Sequence, residues 1–306
     1  MAIRPLDTAQ LLLGRALAKG VFLFLRFIWN LFQTISWKLF GIRDVSKKNE
    51  HFKFEPVAQA LRILAWYKFC FALPPSLRDF IFLHDEYIDP DYVIKNDHVT
   101  LFFLDPHQDV AVFGEGSQGQ LLWHSDCDWH ITMSLFKNSK RLIVMPMEEF
   151  HAVCARLSDP KNPLVILGNT GRCGSTLLTQ IFESTKKIIS YSEPKPLVNL
   201  AVMYNNQGMS SEVIQLTRSL VRMYARPLKS MPDPDGWLLK PVGPAFLCAE
   251  PIRRMYTNTS TFYLYRNMDS VTKSLYKLSY ECPSARLIYL LYRINANFIE
   301  ALLAAK

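Results

Sequence analysis

The second half of the chain alternates short apolar runs with longer stretches in which apolar residues recur every three or four positions. Short apolar runs predict buried strands, and the spacing of three to four predicts amphipathic helices. The predicted strands are 164–168, 237–240 and 262–265, and the predicted helices are 175–184, 211–226, 245–256 and 269–279. Because strands that alternate with helices usually pair in parallel, this half predicts an α/β fold with a parallel sheet flanked by helices.

The stretch before it has a different sequence pattern, in which short runs of residues that favour β-strands are separated by Asp, Asn, Gly and Pro. Five such runs lie at 92–94, 99–104, 110–113, 120–123 and 141–145. This pattern predicts an antiparallel or mixed sheet. Upstream, residues 56–70 show the helical spacing of apolar residues, and this predicted helix ends before Pro74 and Pro75. Residues 46–160 are therefore predicted to form a mixed α/β extension ahead of the parallel sheet.

A hydrophobic segment near the N-terminus predicts a helix that is apolar along most of its length. Residues 21–40 are rich in Phe, Leu, Ile and Trp, but they include Arg26, Asn30 and Gln33. An arginine in the middle of a span costs about 2.5–3.5 kcal/mol on insertion scales. Three interpretations of residues 1–45 stay open: a signal anchor, a helix lying in the membrane interface, and a helix that packs against the protein.

The last part of the chain, residues 161–306, is interpreted as one domain that ends in a further apolar stretch. This stretch, residues 285–304, shows helical spacing and contains Arg286, Arg293 and Glu300. Three charges favour a packing helix over a second membrane span.

Charge, cysteines and histidines narrow the functional classes only slightly. The chain has 35 basic and 27 acidic residues, a net charge of +8, which suits an anionic ligand, an acidic acceptor or a membrane surface. Its six cysteines include no C-x-x-C pair and no Cys/His spacing typical of zinc. His124, His130 and His151 are interpreted as ordinary polar or core histidines. Neither a metal nor a nucleic acid is expected as a partner.

A glycine-rich turn between a predicted strand and a predicted helix points to chemistry. After the strand at 164–168 the chain reads Asn169-Thr-Gly171-Arg172-Cys173-Gly174-Ser175-Thr176. Glycines let backbone N–H groups approach an anion, the helix N-terminus adds a favourable dipole, and Arg172 and the hydroxyls supply further donors. A P-loop kinase is disfavoured, because the Walker A motif has a lysine after its last glycine and Gly174 is followed by Ser175.

This turn resembles the 5′-phosphosulfate-binding loop of sulfotransferases, which use 3′-phosphoadenosine 5′-phosphosulfate (PAPS). The loop is commonly G-R-S-G-[ST]-[ST] in Golgi members and P-K-S-G-T-T in cytosolic members, and residues 171–176 are similar to the first pattern. By this resemblance the 5′ side of PAPS is bound by Arg172, Cys173, Gly174, Ser175, Thr176 and Leu177. Cys173 departs from the usual serine, which removes a hydroxyl and keeps a backbone N–H.

A second segment resembles the part of sulfotransferases that binds the 3′-phosphate. Arg266 follows a predicted strand, and Ser274 comes eight positions later, within the next predicted helix. In that family an arginine at a strand end and a serine eight residues on hold the 3′-phosphate. Arg266 and Ser274 are therefore the residues predicted to distinguish PAPS from ATP.

Two further residues resemble catalytic groups of the same family. Glu193 lies 21 residues after Arg172, where tyrosylprotein and carbohydrate sulfotransferases have a glutamate that is the catalytic base in some members. Lys240 ends a predicted strand, similar to the lysine that tyrosylprotein sulfotransferases use near the bridging oxygen of the leaving phosphate. Glu193, Lys240 and Arg172 are the predicted catalytic set.

The resemblance implies an enzyme that transfers the sulfuryl group of PAPS to a hydroxyl of a carbohydrate or protein acceptor. It also implies a Golgi membrane protein of type II topology with a lumenal catalytic domain, with a cytoplasmic location as the alternative and a membrane contact through residues 21–40. Family members usually continue well beyond the 3′-phosphate segment, so this chain is expected to be shortened at its C-terminus. Two other functions stay open: a non-catalytic PAP- or PAPS-binding protein of the same fold, PAP being the desulfated product, and, less favoured, a P-loop kinase.

Overall fold

The computed structural model describes residues 5–46, 57–71 and 73–281, which contain two β-sheets and the helices that flank them. The helix predicted at 285–304 lies outside the described residues. The protein is a mixed α/β structure in which an antiparallel sheet precedes a parallel one.

One long helix, α1 (Pro5–Phe40), precedes the first sheet. Its polar side chains contact the protein: Arg26 Nε and Trp29 Nε1 donate to the main-chain carbonyls of Phe80 and Phe82, at 3.1 and 2.8 Å. Within the described ranges, no helix combines the length and the apolar character needed to cross a bilayer.

Five antiparallel strands form the first sheet, in the order β2-β1-β5-β4-β3. They are β1 (Ala58–Trp66), β2 (Phe80–Ile88), β3 (Val99–Asp105), β4 (Val110–Glu115) and β5 (Arg141–Pro146). The helices of this half are α2 (Tyr92–Lys95), α3 (Ile131–Asn138) and α4 (Met147–Ala155). The predicted strands at 99–104, 110–113 and 141–145 are confirmed as β3, β4 and β5.

Three predicted elements of this half are wrong. Residues 58–66 form β1 instead of a helix, because pairing with β2 on one side and β5 on the other favours an extended central strand. Residues 92–94 belong to α2 instead of a strand, since the N–H of Tyr92 donates to the carbonyl of Asp89 at 2.9 Å and starts a helical turn. Residues 120–123 form turns, in which the N–H of Gln120 donates to the carbonyl of Ser117 at 2.9 Å.

Four parallel strands form the second sheet, in the order β7-β8-β6-β9. They are β6 (Leu164–Asn169), β7 (Ile188–Ser192), β8 (Gly236–Lys240) and β9 (Thr259–Leu264). The helices are α5 (Ser175–Ser184), α6 (Pro196–Gln207), α7 (Ser211–Tyr224), α8 (Ala249–Met255) and α9 (Met268–Glu281). The predicted parallel sheet with flanking helices is confirmed; the helix predicted at 245–256 is divided into a 3₁₀ helix, Gly243–Cys248, and α8.

The two sheets share a continuous buried apolar core. Polar contacts also join them: His151 Nδ1 lies 2.7 Å from Ser219 Oγ, so α4 contacts α7. The buried Arg226 donates to the carbonyl of Val99 at 2.6 Å. Because these bonds cross between the two halves, the first sheet has a fixed position relative to the edge of the second.

Candidate functional site

The carboxyl ends of the four parallel strands lie side by side at one edge of the second sheet. β7 pairs with β8 up to Ser192 and Lys240, and β6 pairs with β9 up to the last residue of each. Residues that directly follow parallel strands gather at such an edge. The edge therefore collects the turn after β6, Glu193 after β7, Lys240 at the end of β8, and Arg266 two residues beyond β9.

The turn between β6 and α5 has a conformation that glycine favours. Gly171, Arg172 and Gly174 have φ angles of +73°, +53° and +92°, and Asn169 Oδ1 accepts the N–H of Gly171 at 2.9 Å. A positive φ angle destabilises a residue with a Cβ atom by about 1–2 kcal/mol, so the fold holds Arg172 in a strained backbone conformation. Gly174 caps α5, and the unpaired N–H groups of the first helical turn open toward the edge.

The first turn of α5 presents hydroxyl groups beside these N–H groups. Ser175 is buried, Thr176 is half-buried, and Leu177 is 61% exposed. Ser175 and Thr176 are thus positioned as donors to an anion, whereas Leu177 offers only its backbone. Cys173 is a half-buried free thiol.

Lys240 is a buried cation at the centre of the edge, with 1% of its surface exposed. Its Nζ donates to Glu193 Oε1 at 2.8 Å, to Thr176 Oγ1 at 3.1 Å and to Ser192 Oγ at 3.3 Å. An ammonium group has three protons, so these partners occupy all of them. Lys240 therefore connects the glycine-rich turn, through Thr176, to the candidate base.

Glu193 follows β7 in a left-handed conformation, with φ +63°. Its N–H donates to the carbonyl of Lys240 at 2.7 Å, which fixes its backbone against β8. Burial raises the pKa of the Glu193 carboxyl, but His130 in its protonated form, the charges of Lys240 and Lys195 and the hydrogen bond from Lys240 outweigh burial and hold the pKa below its usual value. The carboxylate is therefore ionised at neutral pH, and it is free to accept at Oε2, which Lys240 does not contact.

His130 lies next to Glu193, although the sequence analysis discounted it. Its Nδ1 is 3.7 Å from Glu193 Oε2 and is buried without a hydrogen-bond partner among the described residues. Burial lowers the pKa of the imidazole, although the nearby Glu193 carboxylate raises it. The net lowering favours the neutral form of His130. No local sequence signal identifies His130, because it comes from the loop before α3 and the first half brings it to this edge.

The loop that carries His130 is tethered to the helix of the glycine-rich turn. The N–H of Ser125 donates to both carboxylate oxygens of Glu183 in α5, at 3.1 and 3.2 Å. Glu183 is itself buried. The tether joins the loop to the last turn of α5, and five residues further along the chain His130 lies beside Glu193.

The Lys240–Glu193 pair predicts a pH-dependent contribution to stability. The folded-state pKa of Glu193 lies below its ordinary 4.5, so the stabilisation is complete above that pH and is lost as the pH falls further. We expect Glu193→Gln to be less stable than the wild type at neutral pH and the difference to shrink at acidic pH. Urea denaturation of both proteins across this pH range measures it; a difference that stays constant would contradict the ionised pair.

The two arginines of the predicted anion site have different surroundings. Arg172 Nε donates to Ser274 Oγ in α9 at 2.9 Å, so the structure brings together one residue from each predicted phosphate segment. Arg266 is exposed, and within the described part of the chain it makes no hydrogen bond or ion pair. Asn267 Oδ1 caps α9 by accepting the N–H of Asp269 at 2.9 Å. Arg266 thus precedes a second helix N-terminus at the same edge.

Comparisons with models of protein families, with curated proteins and with solved structures give no match to this chain. The five cysteines within the described ranges are free thiols. In the same ranges no group of three or more His, Cys, Asp or Glu side chains is arranged to hold a metal ion. The function is therefore argued from the geometry of the edge.

Proposed function

We propose that this protein is a PAPS-dependent sulfotransferase with a P-loop-type domain, acting on a hydroxyl of a carbohydrate or protein acceptor. The observation that carries the proposal is the buried Lys240, which contacts both Thr176 in the glycine-rich turn and Glu193. A phosphate-binding turn, a cation and a carboxylate in mutual contact are the groups that sulfuryl transfer requires.

The turn after β6 fits the 5′ side of PAPS. It offers the N–H groups at the start of α5, the hydroxyls of Ser175 and Thr176, and the charge of Arg172. The glycines at 171 and 174 have positive φ, and a Cβ added at either would meet no atom within 4 Å. The space beside the turn is therefore open, as the approach of a phosphate requires.

The end of β9 fits the 3′-phosphate. Arg266 is exposed beside the N-terminus of α9, and Ser274 lies two turns along that helix. Ser274 already accepts a hydrogen bond from Arg172, so the residues proposed for the two ends of the nucleotide are in contact. This contact supports a single ligand site over two independent ones.

Each residue at the edge has its own role in the proposed reaction. PAPS supplies the sulfuryl group, and PAP departs when the bond between sulfur and the 5′-phosphate oxygen breaks. Glu193 accepts the proton of the acceptor hydroxyl at Oε2 as the acceptor oxygen bonds to sulfur. Lys240 and Arg172 stabilise the negative charge that develops on the phosphate side. His130, which burial favours in its neutral form, lies beside Glu193 with its Nδ1 3.7 Å from Oε2.

Lys240 links ligand binding to the strength of Glu193 as a proton acceptor. All three of its protons are used within the protein, so an interaction with a phosphate oxygen requires it to release one partner. Release of Glu193 leaves the carboxylate with fewer donors, which makes it a better proton acceptor. The internal pair therefore makes Glu193 a weaker proton acceptor until the anion arrives.

Replacing Arg266 with alanine tests the second phosphate contact. We expect the variant to bind PAP about 10- to 100-fold more weakly, because a charge-assisted contact is lost. Its affinity for AMP, which lacks the 3′-phosphate, should stay unchanged. Calorimetric titration measures both affinities.

Arg253→Ala is the matched control for this experiment. Arg253 is an exposed arginine in α8, which leads to the start of β9 and thus lies at the opposite edge of the sheet. Its variant should bind PAP like the wild type. Equal losses for PAP and AMP in Arg266→Ala would contradict a dedicated 3′-phosphate contact.

The alternative of a non-catalytic nucleotide-binding protein shares this geometry and differs only in turnover. Incubation with ³⁵S-labelled PAPS and a panel of sugars, tyrosyl peptides and phenols separates the two. Labelled product from any acceptor supports the enzyme, whereas PAP binding with no labelled product from the panel favours the binding protein.

A further inference from the structure

The helix α1 contacts the rest of the protein through both apolar and polar side chains: Phe22 and Trp37 are buried, and several polar groups donate hydrogen bonds. Its buried face carries Arg15, whose Nη1 donates to the carbonyl of Phe69 at 3.2 Å. On the same side Arg26 and Trp29 donate to carbonyls of β2, the edge strand of the first sheet. The polar side chains thus attach α1 to the protein and cover an open sheet edge.

The opposite face of α1 is a continuous apolar stripe. Leu17, Val21, Phe24, Ile28 and Leu31 follow one another in steps of four and three, and each is between 37% and 63% exposed. Further exposed leucines, isoleucines and phenylalanines continue the stripe to Phe40. Soluble monomers rarely expose a contiguous apolar patch of more than a few hundred Å². Exposure of this kind is typical of a surface that contacts a partner or a membrane.

The charges of the helix indicate which partner this is. From residue 10 to residue 40, α1 contains Arg15, Lys19, Arg26 and Lys38 and no carboxylate. Lys38 is exposed beside the end of the stripe. The whole chain has a net charge of +8. Arg15 and Arg26 donate to main-chain carbonyls, and Lys19 Nζ lies 3.8 Å from Asp79 Oδ1, so the cation that borders the stripe is Lys38. A broad apolar face that ends at a lysine and includes no carboxylate from residue 10 to residue 40 is complementary to a bilayer that contains anionic lipids.

We propose that α1 lies in the plane of an anionic membrane surface, with the stripe in contact with the acyl chains and the two sheets on the aqueous side. The attachment of α1 to β2 makes the contact rigid, so the bound protein has one orientation on the surface. This proposal stands on residues 10–40 and is independent of the sulfotransferase proposal.

Co-sedimentation of the full chain with vesicles tests the docking. We expect binding to phosphatidylcholine vesicles that contain phosphatidylserine, and weaker binding to phosphatidylcholine alone. Binding to the anionic vesicles should weaken as salt is raised, because salt screens the charges. The double variant Phe24→Asp/Leu31→Asp should bind at least about tenfold more weakly, since it removes two large apolar side chains from the stripe.

The control variant is Val202→Asp/Leu247→Asp, which changes two apolar side chains of comparable exposure outside α1. It should bind vesicles like the wild type, and melting curves of both variants verify that they fold. Equal binding by the two variants, or no binding by the wild type, would overturn the proposal. So would a dimer that the α1 variant converts to a monomer without any vesicle binding, because the stripe would then contact a second copy.

Discussion

Replacing Glu193 with glutamine is expected to reduce sulfuryl transfer from PAPS by about 10²–10⁴-fold, the usual contribution of a general base. The amide keeps the shape of the side chain and cannot accept the proton of the acceptor hydroxyl. PAP affinity should be retained or increased, because Lys240 loses its charged internal partner and becomes available to the phosphate. Initial rates with ³⁵S-labelled PAPS and calorimetry with PAP measure the two effects.

Glu212→Gln is the control for this substitution, since Glu212 is an exposed carboxylate in the first turn of α7. Its rate should equal that of the wild type. The pH profile gives a further check: the wild-type rate should rise as Glu193 ionises, and the residual rate of Glu193→Gln should lack this rise. A variant that turns over at the wild-type rate would exclude Glu193 as the base.

Replacing Lys240 with methionine is expected to impair both stability and turnover. Loss of one partner from a buried ion pair leaves Glu193 without its main counter-charge, and such losses cost about 3 kcal/mol in unfolding free energy. Turnover should fall strongly, because Lys240 donates hydrogen bonds to both Thr176 and Glu193. Urea denaturation and the transfer assay measure the two effects separately.

The double variant Lys240→Met/Glu193→Gln distinguishes the structural role of the pair from its catalytic one. With both charges removed, much of the lost stability should return while turnover stays low. Lys187→Met is the control, because Lys187 forms an exposed pair with Asp235 at 3.6 Å and should alter stability by less than about 0.5 kcal/mol. A Lys240→Met protein as stable and active as the wild type would contradict the central position of Lys240.

The sequence predicted the apolar strands β6 and β8 of the parallel sheet, and it missed β7, which is partly polar. β6 and β8 consist mainly of Leu, Val, Ile and Trp, but β7 ends in Ser190, Tyr191 and Ser192. These hydroxyl side chains are buried, because β7 packs between β8 and α5. Their burial comes from the sheet order, which local hydrophobicity does not contain.

The candidate site, too, could be predicted only in part from the sequence. Arg172, Glu193 and Lys240 were predicted as site residues from the resemblance to sulfotransferases. The contact between Glu193 and Lys240 follows from the adjacency of β7 and β8, which the sequence pattern does not specify. His130 was missed for a related reason, since it reaches the edge through a loop of the first half whose position depends on the contact between Ser125 and Glu183.

Two of the four non-glycine residues with positive φ in the described ranges lie at this edge, and the other two, Asp109 and Lys186, lie in turns elsewhere. Arg172 and Glu193 both have side chains and both have positive φ, and each position costs about 1–2 kcal/mol. Strain of this kind persists where the surrounding structure holds a residue in place for a task. Of the strained residues at this edge, Glu193 is proposed to accept the proton of the acceptor hydroxyl, and Arg172 is proposed to stabilise charge on the phosphate.

Calorimetric titration of the full chain with PAP and, in parallel, with ATP is the most direct test of the proposed nucleotide specificity. We predict micromolar or tighter binding of PAP and much weaker binding of ATP, because ATP lacks the 3′-phosphate that Arg266 and Ser274 are proposed to bind. Binding of ATP without binding of PAP would contradict the account and would favour a kinase, with Lys240 in the place of the Walker lysine.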